Sequence, residues 1–110
     1  METITLRELC LKNDLSNDMV LEFEKYGLIE AVEKIEGCYR TYPKETSTTI
    51  RMIKIYQKIG FSLNEIKRIL KLSQDKVKLA LENQVVWLEQ HKMKVESAIR
   101  LANELITVRI

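Results

Sequence analysis

Apolar residues recur along this chain at helical spacing, and polar punctuation divides them into blocks. Thr5 with Glu8 makes a capping box that opens a short helix near Leu6 to Lys12, which Asn13-Asp14 breaks. Ser16 then caps a second helix that ends at Gly27. From Ile29 to Tyr42 the alternation is poor, but Glu36-Gly37-Cys38 separates two short segments, which predicts a small hairpin. Pro43 suits the first turn of a third helix, in which Ile50, Ile53, Tyr56 and Ile59 recur in three-residue steps up to Gly60. Ser62 with Glu65 is a second capping box, starting a short helix with Leu63, Ile66, Ile69 and Leu70.

The last third has a different period. From Ser73 to about Val108 there is neither Gly nor Pro, and Leu81, Val85, Leu88, Lys92, Val95, Ile99, Ala102 and Ile106 follow alternating steps of four and three. That is the heptad spacing of a coiled-coil seam on one long helix. At 1.5 Å per residue such a helix spans about 50 Å, too long for the preceding ~70 residues to cover. Its apolar stripe needs a partner, and a second copy of the chain is the simplest one. Lys92 interrupts the seam, either as a snorkelling side chain or as a register-setting polar position. Trp87 lies off the seam and is expected to be a large core anchor, packed on the head of its own or a partner subunit.

Composition changes this picture little. A chain of 110 residues closes one modest core, which makes a dimer the natural source of additional burial. With 45% apolar and 31% charged residues it is an ordinary globular sequence, and a net charge of +2 does not by itself point to nucleic acid. The distribution is more telling. From Asp14 to Lys25 the charges are Asp14, Asp18, Glu22, Glu24 and one Lys, which makes the second helix acidic, whereas Lys44, Arg51, Lys54 and Lys58 face only Glu45 in the third.

Several classes are set aside. The two cysteines, Cys10 and Cys38, form no Cys-x-x-Cys and follow no secretory signal, which points to the cytoplasm. Cys10, between Leu9 and Leu11, reads as a small buried hydrophobe, and Cys38 as exposed in a turn. His91 is the single histidine and lies far from both, so no ligand-spaced metal set and no cofactor is expected. No apolar run reaches the roughly 18 to 20 residues that span a bilayer, so no membrane partner is expected. There is no Gly-rich phosphate loop, nucleophile–His pair or separated carboxylate pair, which argues against an enzyme.

Tyr39-Arg40-Thr41-Tyr42, Gly60-Phe61-Ser62-Leu63, Leu6-Arg7-Glu8-Leu9 and Phe23-Glu24-Lys25-Tyr26-Gly27-Leu28-Ile29 come in an order and spacing that resemble the MerR family of bacterial transcriptional regulators. With the long tail, the resemblance covers nearly the whole chain. It implies a mostly α fold: a winged helix-turn-helix head over residues 1–72 with a small β-hairpin wing, and a dimerisation helix over 73–110 forming an antiparallel coiled coil. It also implies a homodimer acting on double-stranded promoter DNA, with RNA polymerase as a further partner and a small-molecule effector left unidentified. Carried over by position, Tyr39 and Arg40 match wing residues that hold phosphates, and Lys58 matches a basic second-wing position. Tyr42 either adds a phosphate contact or packs the hairpin, and Ser16 and Asn17 remain as contacts at the start of the second helix. Leu81, Val85, Leu88, Val95, Ile99, Ala102 and Ile106 form the dimer seam. Metal-sensing members place cysteines near the start of the dimer helix and in a loop after it, and this chain has neither. Members that bind drugs append a domain after that helix. Here the sequence stops at Ile110, so either it is part of a longer protein or any signal acts on the head or the seam.

The second helix departs from the family pattern. Relatives carry an Arg-Thr pair and then an Arg or His with an aromatic where this chain has Asp18-Met19 and Leu21-Glu22. Carboxylates facing a groove that carries one charge per about 1.7 Å of duplex oppose binding, although a carboxylate can accept a hydrogen bond from cytosine. The acidic helix, with Leu9-Cys10-Leu11 and Leu15-Ser16, also resembles the CbpM-like chaperone modulators, which share the head fold and bind a basic J-domain helix instead of DNA. The intact Tyr-Arg-x-Tyr wing and the unbroken dimer helix favour the DNA-binding regulator over this protein-interaction module.

Overall fold

A computed structural model describes residues 2–35 and 39–109 of the chain. The elements run β1 (Thr3–Thr5), α1 (Leu6–Asn13), α2 (Asn17–Lys25), β2 (Glu33–Ile35), β3 (Tyr39–Pro43), α3 (Thr46–Ile59), α4 (Leu63–Ile69) and α5 (Gln74–Arg109). They divide into two compact units, Met1–Lys71 and Leu72–Ile110.

Local chemistry explains most element boundaries in the first unit. Thr5 accepts the Glu8 N–H while the Glu8 carboxylate reaches back to the Thr5 N–H, and Ser62 and Glu65 repeat the arrangement at α4. The α1–α2 turn is made by Asp14, which takes the left-handed conformation at φ 53°. Gly27 at φ 79° closes α2: its N–H bonds the Glu24 carbonyl, and the Leu28 N–H bonds that of Phe23. A side chain at Gly27 would be strained, and its Cβ would lie 2.9 Å from Lys67 Nζ.

Two features depart from the sequence expectation. The hairpin belongs to a three-stranded antiparallel sheet of order β1-β3-β2, because Thr3–Thr5 pairs with β3 in the register Thr3–Pro43, Ile4–Tyr42 and Thr5–Thr41. Three residues carry too little pattern to announce a strand; the partner strand creates it. Pro43 is also not in the first turn of α3. It ends β3, the Lys44 N–H then bonds the Glu2 carbonyl, and α3 begins at Thr46 with no side-chain cap. A proline lacks the N–H that a ladder needs, so it stops a strand as readily as it starts a helix. The Glu36-Gly37-Cys38 turn lies outside the described residues.

The core is built from Leu9, Val20, Phe23, Tyr42, Ile50, Ile53 and Ile66, all fully buried, so each element of the helix-turn-helix contributes an anchor. The Tyr56 and Phe61 rings meet edge to face at 6.2 Å and pack the α3–α4 turn. Polar ties join α1 to α3: Lys54 Nζ donates to the Asn13 carbonyl at 2.6 Å, and Asn13 Nδ2 donates to Ser47 Oγ at 3.2 Å. The second unit is a single helix, α5, 36 residues long.

Candidate DNA interface

The N-terminus of α2 is set by its own cap. Ser16 Oγ accepts the Met19 N–H at 3.2 Å, so this hydroxyl is already engaged in holding the helix start. Asn17, beside it, is exposed, and its Oδ1 accepts the Cys10 thiol proton at 3.1 Å. Cys10 is therefore half-buried rather than a core residue. Burial pushes its thiol pKa up, so the group stays a protonated donor at neutral pH. That contact orients the Asn17 side chain across the α1–α2 turn.

The wing side chains converge on one residue that sequence reasoning left in the acidic patch. Glu24 receives Arg40 Nη1 on one carboxylate oxygen at 2.7 Å and the Tyr42 hydroxyl on the other at 2.8 Å. Its side chain is 16% exposed, whereas that of Arg40 is 35% exposed. Tyr42 is completely buried, and burial together with the neighbouring carboxylate pushes its phenol far above the usual range. Of the two roles expected for Tyr42, the geometry matches packing of the hairpin, with the hydroxyl proton engaged by Glu24. The Glu24 signal was legible in principle, because Val20 and Phe23 define the inward face of α2 and position 24 lies beside them at helical spacing.

The acidic helix is thereby divided. Glu24 faces inward and compensates Arg40, while Asp14, Asp18 and Glu22 remain exposed on the outer surface. Lys58 is exposed on the last turn of α3. Tyr39 pairs with Ile35 through its backbone, and its side chain lies outside the described side chains, as does Cys38 altogether. The structure thus brings Arg40 and Tyr42 together through Glu24 and sets Ser16 and Asn17 side by side at the other end of α2.

In α5 the seven apolar seam positions are surface residues of the single chain. Val85, Leu88, Val95, Ile99, Ala102 and Ile106 are exposed and Leu81 is half-buried. Trp87, expected as a core anchor, is 53% exposed and stacks on His91 one turn away, with ring centroids 5.1 Å apart. The two residues are four apart on one helix, which is enough to place the rings face to face without a tertiary pocket. Among the described residues no group of three or more His, Cys, Asp or Glu side chains is placed to hold a metal ion. No helix among them is long and apolar enough to cross a membrane.

A helix-turn-helix flanked by a hairpin is a fold before it is a function, and comparison with known proteins supplies the family. The model for "MerR HTH family regulatory protein" matches residues 4–73, and that for "MerR, DNA binding" matches residues 48–107. The chain belongs to the MerR family. It is thus a DNA-binding transcription regulator of the MerR type. It is similar to the mercuric resistance operon regulatory protein of Bacillus cereus, with 28% identity over 93% of this chain and 80% of that protein. Among solved structures it resembles the N-terminal part of MtaN, the Bacillus subtilis multidrug transporter activator, with a TM-score of 0.82 at 20% identity, covering 94% of this chain and 97% of that one. It also resembles HiNmlR, a MerR family regulator lacking the sensor domain and bound to promoter DNA, with a TM-score of 0.59 at 20% identity over 96% and 89% of the two chains. These relatives are regulators rather than enzymes, and nothing in the comparisons favours the chaperone-modulator alternative.

Proposed function

We propose that the chain acts in the cytoplasm as a homodimer on duplex promoter DNA, with the start of α2 at the major groove and the β2–β3 wing against the flanking backbone. The observation that carries this reading is the Glu24 link, which ties the wing strand to α2 by two charge-assisted hydrogen bonds. A reading helix and a backbone clamp act together only if their spacing is held, because backbone contacts set register while base contacts set sequence. Arg40, partly exposed beside this link, supplies the phosphate contact, with Tyr39 and Lys58 as further backbone contacts. Ser16 and Asn17 stand at the α2 N-terminus, where free N–H groups and the helix dipole favour an anion. The inward turn of Glu24 supports the reading, since it removes one carboxylate from the face that would meet phosphates.

Titration of Arg40→Ala against duplexes of several sequences tests the assignment. Binding is expected to weaken similarly for every sequence, and the salt slope to fall by about 0.9 for the one lost phosphate contact. Unchanged affinity and slope would remove Arg40 from the interface.

A further inference from the structure

The heptad pattern of α5 is symmetric end to end. Leu81, Leu88, Val95 and Ala102 occupy d positions, and Val85, Lys92, Ile99 and Ile106 occupy a positions. Folded about a point between Met93 and Lys94, Leu81 meets Ile106, Val85 meets Ala102, Leu88 meets Ile99 and Lys92 meets Val95. Every one of these pairs joins an a to a d position, which is the mixed layer that two helices make when one runs opposite to the other. All eight side chains are exposed or half-buried in the single chain and so are open to such a mate. Sliding one helix by a heptad spoils the match: in one direction Ala102 and Ile106 fall opposite Lys78 and Gln74, and in the other Val85 falls opposite Arg109.

The charges follow the same centre. Asp75, Glu82, Glu89 and Glu96 are spaced by sevens at the e positions, and all are exposed. In an antiparallel pair e faces e, so the symmetric register sets Glu89 near the partner's Glu96 twice, gathering four carboxylates at the middle of the coil. Alone, these groups repel. Lys92 is three residues from Glu89 and four from Glu96, on the same rim, and its four-carbon stem can lie on the apolar seam while the ammonium reaches those carboxylates. The interruption that weakens the stripe as a hydrophobic surface is thus the counter-charge for the acids beside it.

The antiparallel pairing of two such helices is what membership of the family implies; we propose that in this chain it is centred between Met93 and Lys94, and that the two Lys92 ammoniums, held by Glu89 and Glu96 of both chains, select that register. This rests on the dimer reading above and adds the residue pairing to it. A polar a position specifies register at a cost in stability, which is the role assigned to Lys92.

The test uses the full chain with Cys10→Ser and Cys38→Ser as background, in three double variants equilibrated in a glutathione redox buffer and read on non-reducing gels. Leu88→Cys with Ile99→Cys reports the symmetric register. Leu88→Cys with Ile106→Cys, and Leu81→Cys with Ile99→Cys, report the two slides. Within one helix residues 88 and 99 are about 16 Å apart, beyond the roughly 7 Å a disulfide bridges, so a bond between them must join two chains. The first variant is expected to give on the order of tenfold more covalent dimer than either slide, a register preference of about 1.4 kcal/mol. Lys92→Glu is expected to weaken the dimer at least about tenfold in sedimentation equilibrium, and adding Glu89→Lys with Glu96→Lys to restore it. A background protein that sediments as a monomer overturns the dimer reading and this one with it. A dimer that cross-links best through a slid pair, or through Leu88→Cys alone, overturns only the register. Correct cross-linking with no effect of Lys92→Glu on dimer affinity overturns the role of Lys92.

Discussion

The head and the tail of this chain are both largely helical, yet they end in opposite conditions. In the head, seven large side chains are fully buried, and the described buried side-chain polar atoms all have partners. In the tail, α5 leaves Val85, Leu88, Val95, Ile99 and Ile106 exposed along one stripe. A head of short helices closes upon itself because each turn redirects the chain and brings apolar faces together. A single 36-residue helix has no such turn and buries its stripe only against something else. Burial thus divides the chain into a part that closes upon itself and a part whose apolar stripe stays open.

The largest effect that would sharpen this contrast is expected in the head core. Phe23→Ala removes a fully buried ring and is expected to cost about 3–5 kcal/mol, read as an earlier midpoint in urea or heat denaturation. A change below 1 kcal/mol would mean that the α2 packing described here is wrong. In the tail, Leu88→Glu is expected to turn dimer into monomer in sedimentation while leaving the head folded, because Leu88 lies on the proposed seam and outside the buried core of the head; an unaltered mass would remove Leu88 from the seam. Smaller is the loss from Glu24→Ala, which leaves the Tyr42 hydroxyl buried without this acceptor and Arg40 without this carboxylate. It is expected to cost about 2–3 kcal/mol and to weaken DNA binding with it, whereas Arg40→Ala should weaken binding with little effect on stability. Equal stability losses in both would show that Arg40 serves the fold alone.

The smallest effect concerns a cap and its pH dependence. Ser62→Ala is expected to cost about 0.5–2 kcal/mol through the lost bond to the Glu65 N–H. The capping bonds hold the Glu65 carboxyl below its ordinary pKa of 4.5, and that of Glu8 is lowered by Thr5 in the same way. A carboxylate whose folded pKa is depressed adds stability above its unfolded pKa and loses it as pH falls through the folded one. Denaturation midpoints should therefore decline below about pH 4.5, and less steeply in Ser62→Ala. A variant with the same acid slope as the unsubstituted protein would show that this cap is not the source.

Much of the fold was legible without coordinates because the signals were local. Thr5–Glu8, Ser16 and Ser62–Glu65 each carry a donor–acceptor match within four residues, and Gly27 and Gly60 end their helices with a positive φ that other residues resist. The heptads of α5 were readable for the same reason, since a helix repeats its faces whatever surrounds it. The site was less legible. Arg40 and Tyr42 stood out, but their shared acceptor Glu24 is 16 and 18 residues away in sequence, and its charge read as part of an acidic surface. Trp87 was read as an anchor because it is large, and the structure adds that its ring stacks on His91.

The amino-acid sequence by itself determined where α1, α2 and α4 start and where α2 and α3 stop, the heptad stripe and its polar interruption, and the family to which the order of motifs belongs. All of these depend on interactions within about one helical turn or on a periodicity that survives any tertiary context. The tertiary structure alone decided that Thr3–Thr5 is a strand, that Pro43 closes a ladder instead of opening a helix, and that Glu24 turns inward to bind Arg40 and Tyr42. Each of these is a contact between segments distant in the chain, and its energy exists only once a partner has been brought within hydrogen-bonding distance.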